Sequence, residues 1–162
     1  MITAQAATVA IYKELEKQKN LPGSITYETN GTQTLKEPFK EWIKNCDTEI
    51  FFSVSPKLFT VSGEKTEKAI KPETVAEYYK LRKTGQLKFV VGEKDREWDE
   101  MESAIEKFRN AGVEWPVWVM PTGAREEEQV SGAGKVAEKA FKKGYNVAAR
   151  VHVYLFGNAI GT

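Results

Sequence analysis

The stretch "QLKFVVGEKDREWDEMESAIEKFRNAGVEWPVWVMP", residues 86–121, decides the fold. It opens with a short apolar run, QLKFVVG (86–92), of the length and composition of a strand. An acidic first turn then starts DREWDEMESAIEKFRNAG (95–112), which closes on Gly112 as a helix does. WPVWVMP (115–121) is a second strand. Two such strands joined by a helix of this length cannot form a hairpin. They predict a βαβ crossover and therefore parallel pairing.

The same alternation extends in both directions. Upstream, QAATVAIYKELEKQK (5–19) places Ala6, Val9, Ala10, Tyr12 and Leu15 near one helical face, and LPGS breaks it. A strand is expected over 24–28, a short helix over EPFKEWIKN with Pro38 at its start, and a buried strand over TEIFFSVS (48–55). KPETVAEYYKLRKTG (71–85) reads as a helix ending at Gly85. Downstream, 124–144 reads as a helix ending at Gly144, and YNVAARVHVYLFG (145–157) as the last strand. No repeat, linker or low-complexity run interrupts the series, so residues 1–162 are expected to form one α/β domain with a mostly parallel sheet.

Composition narrows the class. Hydrophobic content of 41% and charged content of 29% are ordinary for a soluble globular chain. A net charge of +1, with basic residues scattered along the helices, offers no electrostatic footprint for nucleic acid. No apolar run reaches membrane-spanning length. The N-terminus lacks a basic start and becomes charged too soon for a signal peptide, so a cytoplasmic location is expected. On that expectation the N-x-[ST] pattern at Asn30 is not a glycosylation site. The single Cys46 excludes an intrachain disulfide and cannot ligate a metal cluster alone.

In parallel α/β folds ligands sit at the C-terminal ends of strands. Those ends carry Glu28, Thr29, Asn30 and Gly31, then Ser53, Ser55, Pro56 and Lys57, then Gly92, Glu93 and Lys94, then Met120, Pro121, Thr122 and Gly123. The last expected strand places Arg150, His152 and Tyr154 on one face by period two. Singly, each polar residue is more simply a solvated strand end. Together they point to one functional rim, with Lys57 a cation for a carboxylate or phosphate, Glu28 an acceptor for a hydroxyl or amine, and His152 a group for a heterocycle or a proton. Two other signals are weak. SGAGK (131–135) lacks the first glycine of a phosphate loop, Gln129 standing there, and Val136 follows the lysine. Cys46 as a nucleophile has only His152 as a partner.

ETNGT (28–32), SVSPKL (53–58), KFVVG (88–92), VWVMPTGA (117–124) and GYNVAARVHVYLFGNAIGT (144–162) together resemble 7-carboxy-7-deazaguanine synthases. These are radical S-adenosylmethionine lyases of queuosine and 7-deazaguanine biosynthesis. The resemblance runs in order over essentially the whole chain. It implies an incomplete (β/α) barrel and the ring contraction of 6-carboxy-5,6,7,8-tetrahydropterin with S-adenosylmethionine, a [4Fe–4S] cluster and Mg²⁺. It places Glu28, Thr29, Asn30, Ser55, Lys57, Met120, Pro121 and Gly123 around S-adenosylmethionine, and His152, Tyr154, Asn158 and Thr162 over the pterin. The family's CxxxCxxC and GGEP motifs are not in this sequence, and the family's Mg²⁺ ligand lies in the same missing stretch. The resemblance therefore implies a shortened form that corresponds to the C-terminal part of such an enzyme and is inactive alone. A homodimer or a separate N-terminal half is the expected partner, and the exposed edge at 24–28 is expected to promote association. The catalytic residues are left unassigned, and no metal ligand is expected within the chain. A non-catalytic S-adenosylmethionine or pterin binding protein stands as the alternative, and an unrelated iron-free α/β enzyme using Lys57 and His152 as a third reading.

Overall fold

The computed structural model describes residues 2–123 and 126–157. After a 3₁₀ turn at Ile2–Ala4, the elements run α1 (Gln5–Lys17), β1 (Ser24–Thr29), α2 (Glu37–Asn45), β2 (Glu49–Val54), α3 (Phe59–Ser62), α4 (Thr66–Ala69), α5 (Pro72–Leu81), β3 (Gly85–Val91), α6 (Asp95–Asn110), β4 (Val117–Pro121), α7 (Glu126–Lys142), β5 (Asn146–Val147) and α8 (Val151–Phe156). The strands form one all-parallel sheet in the order β1-β2-β3-β4-β5. Among the described residues its two edge strands do not pair, so the sheet is open.

Sequential order has a geometric consequence. Each crossover steps one strand in the same direction, and crossovers between parallel strands share one hand. All crossover helices therefore belong on one face. The packing agrees. Tyr27, Phe52, Val54, Leu87, Phe89, Val91 and Val119 join a single core with Phe39, Ile43, Tyr78, Trp98, Met101, Phe108 and Ala140 of the helices. The intervening strand residues turn the other way. Register aligns Glu28 with Ser53 and Gln86, and then Lys88 with Trp118. Burial alternates strictly along β3 and β4, fully buried on the helix side and half-buried on this open side.

Two expectations are corrected. The helix expected to end at Gly85 stops at Leu81, and Gly85 starts β3. A Cβ there would lie 2.5 Å from the Trp115 ring and 2.7 Å from the Phe52 carbonyl, so the glycine serves close packing rather than a helix cap. The strand expected over 145–157 survives only as Asn146–Val147, and Val151–Phe156 is helical. Residues 145–157 have strand propensity, but β4 offers little to pair with. Asn146 and Val147 lie opposite Trp118 and Val119, Ala148 N donates to Val119 O at 2.9 Å, and β4 then ends at Pro121. Strand propensity is realised only where a partner ladder continues. Successive helical residues turn about 100°, so Arg150, His152 and Tyr154 share no strand face.

Candidate functional site

A basin of about 350 Å³ lies on the open face at the C-terminal ends of the strands. The volume is at the lower end of the range for small-molecule sites. Of the residues expected at a ligand, Glu28, Thr29, Asn30, Ser55, Lys57 and Met120 all line it. Ser53, Lys88, Val90 and Arg150 complete the wall.

The first corner is the turn after β1. Gly31 has φ +80°, and a Cβ on it would meet Val54 Cγ1 and Val75 Cγ2 at 2.8 Å. Only glycine fits both the left-handed backbone and the gap. Asn30 Oδ1 accepts from Thr32 N at 3.2 Å and from Thr32 Oγ1 at 2.8 Å, and Thr29 Oγ1 accepts from Gly31 N at 3.1 Å. "NGT" is thus a self-bonded turn that leads from the strand end towards α2, not a hairpin. These bonds fix the Asn30 side chain at the rim.

The second corner is "SPKL". Ser55 N donates to Thr29 O at 2.7 Å, carrying the ladder beyond β2. Pro56 and Leu58 are buried, which leaves Lys57 exposed between two anchors. The chain just after it is held by Glu100 of α6. The carboxylate accepts from Phe59 N at 2.7 Å, from Thr60 N at 2.8 Å and from Thr60 Oγ1 at 2.6 Å. Burial pushes the Glu100 carboxyl up, but the hydrogen bonds from Thr60, Phe59 and Thr66 outweigh it and hold it below its ordinary range.

The basin floor is charged. Lys88 Nζ lies 3.3 Å from Glu28 Oε1, and the Lys88 side chain is 16% exposed against 74% for Glu28. Beside this pair Gln86 Nε2 donates to Ser53 Oγ at 2.9 Å. Arg150, at the start of α8, lines the basin, and its Nε is buried without a hydrogen-bond acceptor among the described residues. Among the described residues Lys57, Lys88 and Arg150 outnumber the one lining carboxylate, so the basin they form favours anions.

The remaining expected residues fall elsewhere. Gly123 lines a neighbouring cleft of about 540 Å³ between the ends of β3 and β4 and the start of α7, together with Gly92, Glu97, Ser131 and Gly132. The "SGAGK" segment is continuous helix there, and its lysine pairs with Glu93 at 3.0 Å. His152 is exposed on α8 and does not line the basin. The Tyr154 side chain, Asn158 and Thr162 lie outside what the structure describes. Lys88 is the residue that sequence reasoning missed. Its signal was the alternation of Gln86 and Lys88 with Leu87 and Phe89, which marks one polar strand face.

Cys46 sits at the opposite rim, at the end of α2 before β2 begins. Its Sγ is 3.4 Å from Ile43 O and 3.6 Å from Arg82 Nη2. It is far from pairing with His152. A four-iron cluster needs several thiolates, and this sequence holds one, so the residues present do not fit that group. Among the described residues no group of three or more His, Cys, Asp or Glu is placed to hold a metal ion. Compared with protein-family models, with curated proteins and with solved structures, the chain finds no match.

Proposed function

We propose that the chain is a 7-carboxy-7-deazaguanine synthase-like protein whose open-face basin binds S-adenosylmethionine, on an incomplete (β/α) barrel. The observation that carries this reading is convergence. Six positions named by the resemblance, scattered from residue 28 to residue 120, line one basin at the C-terminal ends of parallel strands. Sequential strand order with all crossover helices on one face is what part of such a barrel requires.

Within this reading Ser55 and Lys57 receive the ribose and methionyl end, Met120 packs against the adenine, and Asn30, whose Oδ1 already accepts twice from Thr32, offers its amide N–H groups. When bound in the family, the cluster supplies the electron that cleaves S-adenosylmethionine. One cysteine at the far rim does not supply that electron here, so ligand binding is the activity proposed for the chain by itself. The same mismatch favours the second reading, a non-catalytic protein that retains an S-adenosylmethionine or pterin pocket. Lyase turnover on 6-carboxy-5,6,7,8-tetrahydropterin belongs to this chain only together with a cluster-bearing segment.

Calorimetric titration with S-adenosylmethionine tests the proposal. Binding that Lys57→Ala weakens supports it. A folded chain that binds neither S-adenosylmethionine nor the pterin overturns both readings.

A further inference from the structure

We propose that Lys88 and Arg150, with Lys57 above them, form a subsite for a carboxylate or phosphate group of the ligand, and that Glu28 is its built-in counterion, displaced when the ligand enters. The inference rests on the reading of the basin as a ligand site, and it does not depend on the rest of the ligand being S-adenosylmethionine.

The two members of the Lys88–Glu28 pair are unlike. The lysine is largely withdrawn from solvent, and its partner is 74% exposed. A withdrawn ammonium needs an anion beside it. An exposed carboxylate held by one contact is a weak and replaceable partner. Arg150 adds a second, independent observation. Its Nε–H is buried and lacks an acceptor among the described residues, although buried guanidinium donors are normally satisfied. The edge formed by Nε and a terminal nitrogen is the one that docks carboxylate or phosphate in a two-pronged fashion. Nε is enclosed as the structure stands, so an anion reaches that edge once the Arg150 side chain turns into the basin; it would then satisfy Arg150 and take over Lys88, and Glu28 would turn outward to water.

The test uses the full chain at constant ionic strength, with inorganic phosphate and acetate as probes. NMR follows the Arg150 Nε–H and Lys88 ammonium resonances, and thermal melts confirm folding. Phosphate or acetate should shift both resonances, and Glu28→Gln should tighten binding about three- to fivefold by removing the competing carboxylate. Arg150→Lys keeps the charge but removes the two-pronged edge, and should weaken it. A stronger phosphate response assigns the ligand group as phosphate, and a comparable acetate response assigns it as carboxylate. Equal affinity in wild type and Glu28→Gln, or no movement of the Arg150 resonance, overturns the proposal. If S-adenosylmethionine does not bind while Glu28→Gln still tightens phosphate, the S-adenosylmethionine reading falls and the subsite stands. If S-adenosylmethionine binds equally to wild type, Glu28→Gln and Arg150→Lys, the subsite falls and that reading stands.

Discussion

Lys88 of β3 reaches across the whole width of β2 to Glu28 of β1, closing to 3.3 Å over the Ser53–Gln86 hydrogen bond. The pair ties three strands together on the face opposite the crossover helices. Because Glu28 is mostly solvated, the tie adds little to folding. Lys88→Ala should lower stability by less than about 1 kcal/mol by chemical denaturation. It should also weaken S-adenosylmethionine binding about tenfold or more in calorimetry. A large loss of stability with unchanged binding would make Lys88 a structural residue only.

The turn after β1 makes the opposite prediction. Gly31→Ala forces a side chain into a left-handed backbone and within 2.8 Å of Val54 and Val75, both fully buried. Strain and overpacking together should cost about 2–4 kcal/mol in the unfolding free energy. Gly112 has φ +84° but open space around it, so Gly112→Ala should cost about 1 kcal/mol. Equal costs at the two positions would contradict the tight fit described at Gly31.

A pH dependence follows from Glu100. Its folded carboxyl titrates below the usual glutamate value, so its contribution is present above that value and is lost as pH falls through the folded one. Amide exchange at Phe59 and Thr60, whose N–H groups the carboxylate accepts, should therefore accelerate selectively in acid. Glu100→Gln should show the faster exchange already at neutral pH, and should weaken ligand binding through the displaced Lys57. Exchange at these amides that does not change with pH would remove the clamp.

The outer edge of β1 carries six strand residues paired on one side only, among the described residues. Exposed edges recruit further strands. Sedimentation should show concentration-dependent association of the isolated chain, and Thr26→Pro should reduce it. A clean monomer at all concentrations would show that the edge is protected.

Much of this architecture was legible in the chain because local and global preferences agree there. The α2 boundaries at Glu37 and Asn45, the glycine stops at 112 and 144, and the parallel character of β3 and β4 all follow from nearby residues. The failures were non-local. Whether 145–157 remains a strand depends on how far β4 extends, which Pro121 limits from a distance in sequence. Gly85 reads as a helix stop until the Trp115 ring is placed beside it. Lys88 gains its role only when register brings β3 alongside β2 and β1. The short helices α3 and α4 carry too few residues for a periodic signal.

The one-sided placement of the helices also separates two kinds of selection. Tyr27, Phe52, Leu87 and Val119 hold the fold from one side, and Thr26, Glu28, Gln86, Lys88 and Trp118 look out from the other. Adjacent positions on the same strand thus answer to different demands. A lineage could exchange the outward set almost freely and acquire a new ligand without first acquiring a more robust scaffold. The outward residues are accordingly the part of this chain from which a changed specificity would be selected or engineered.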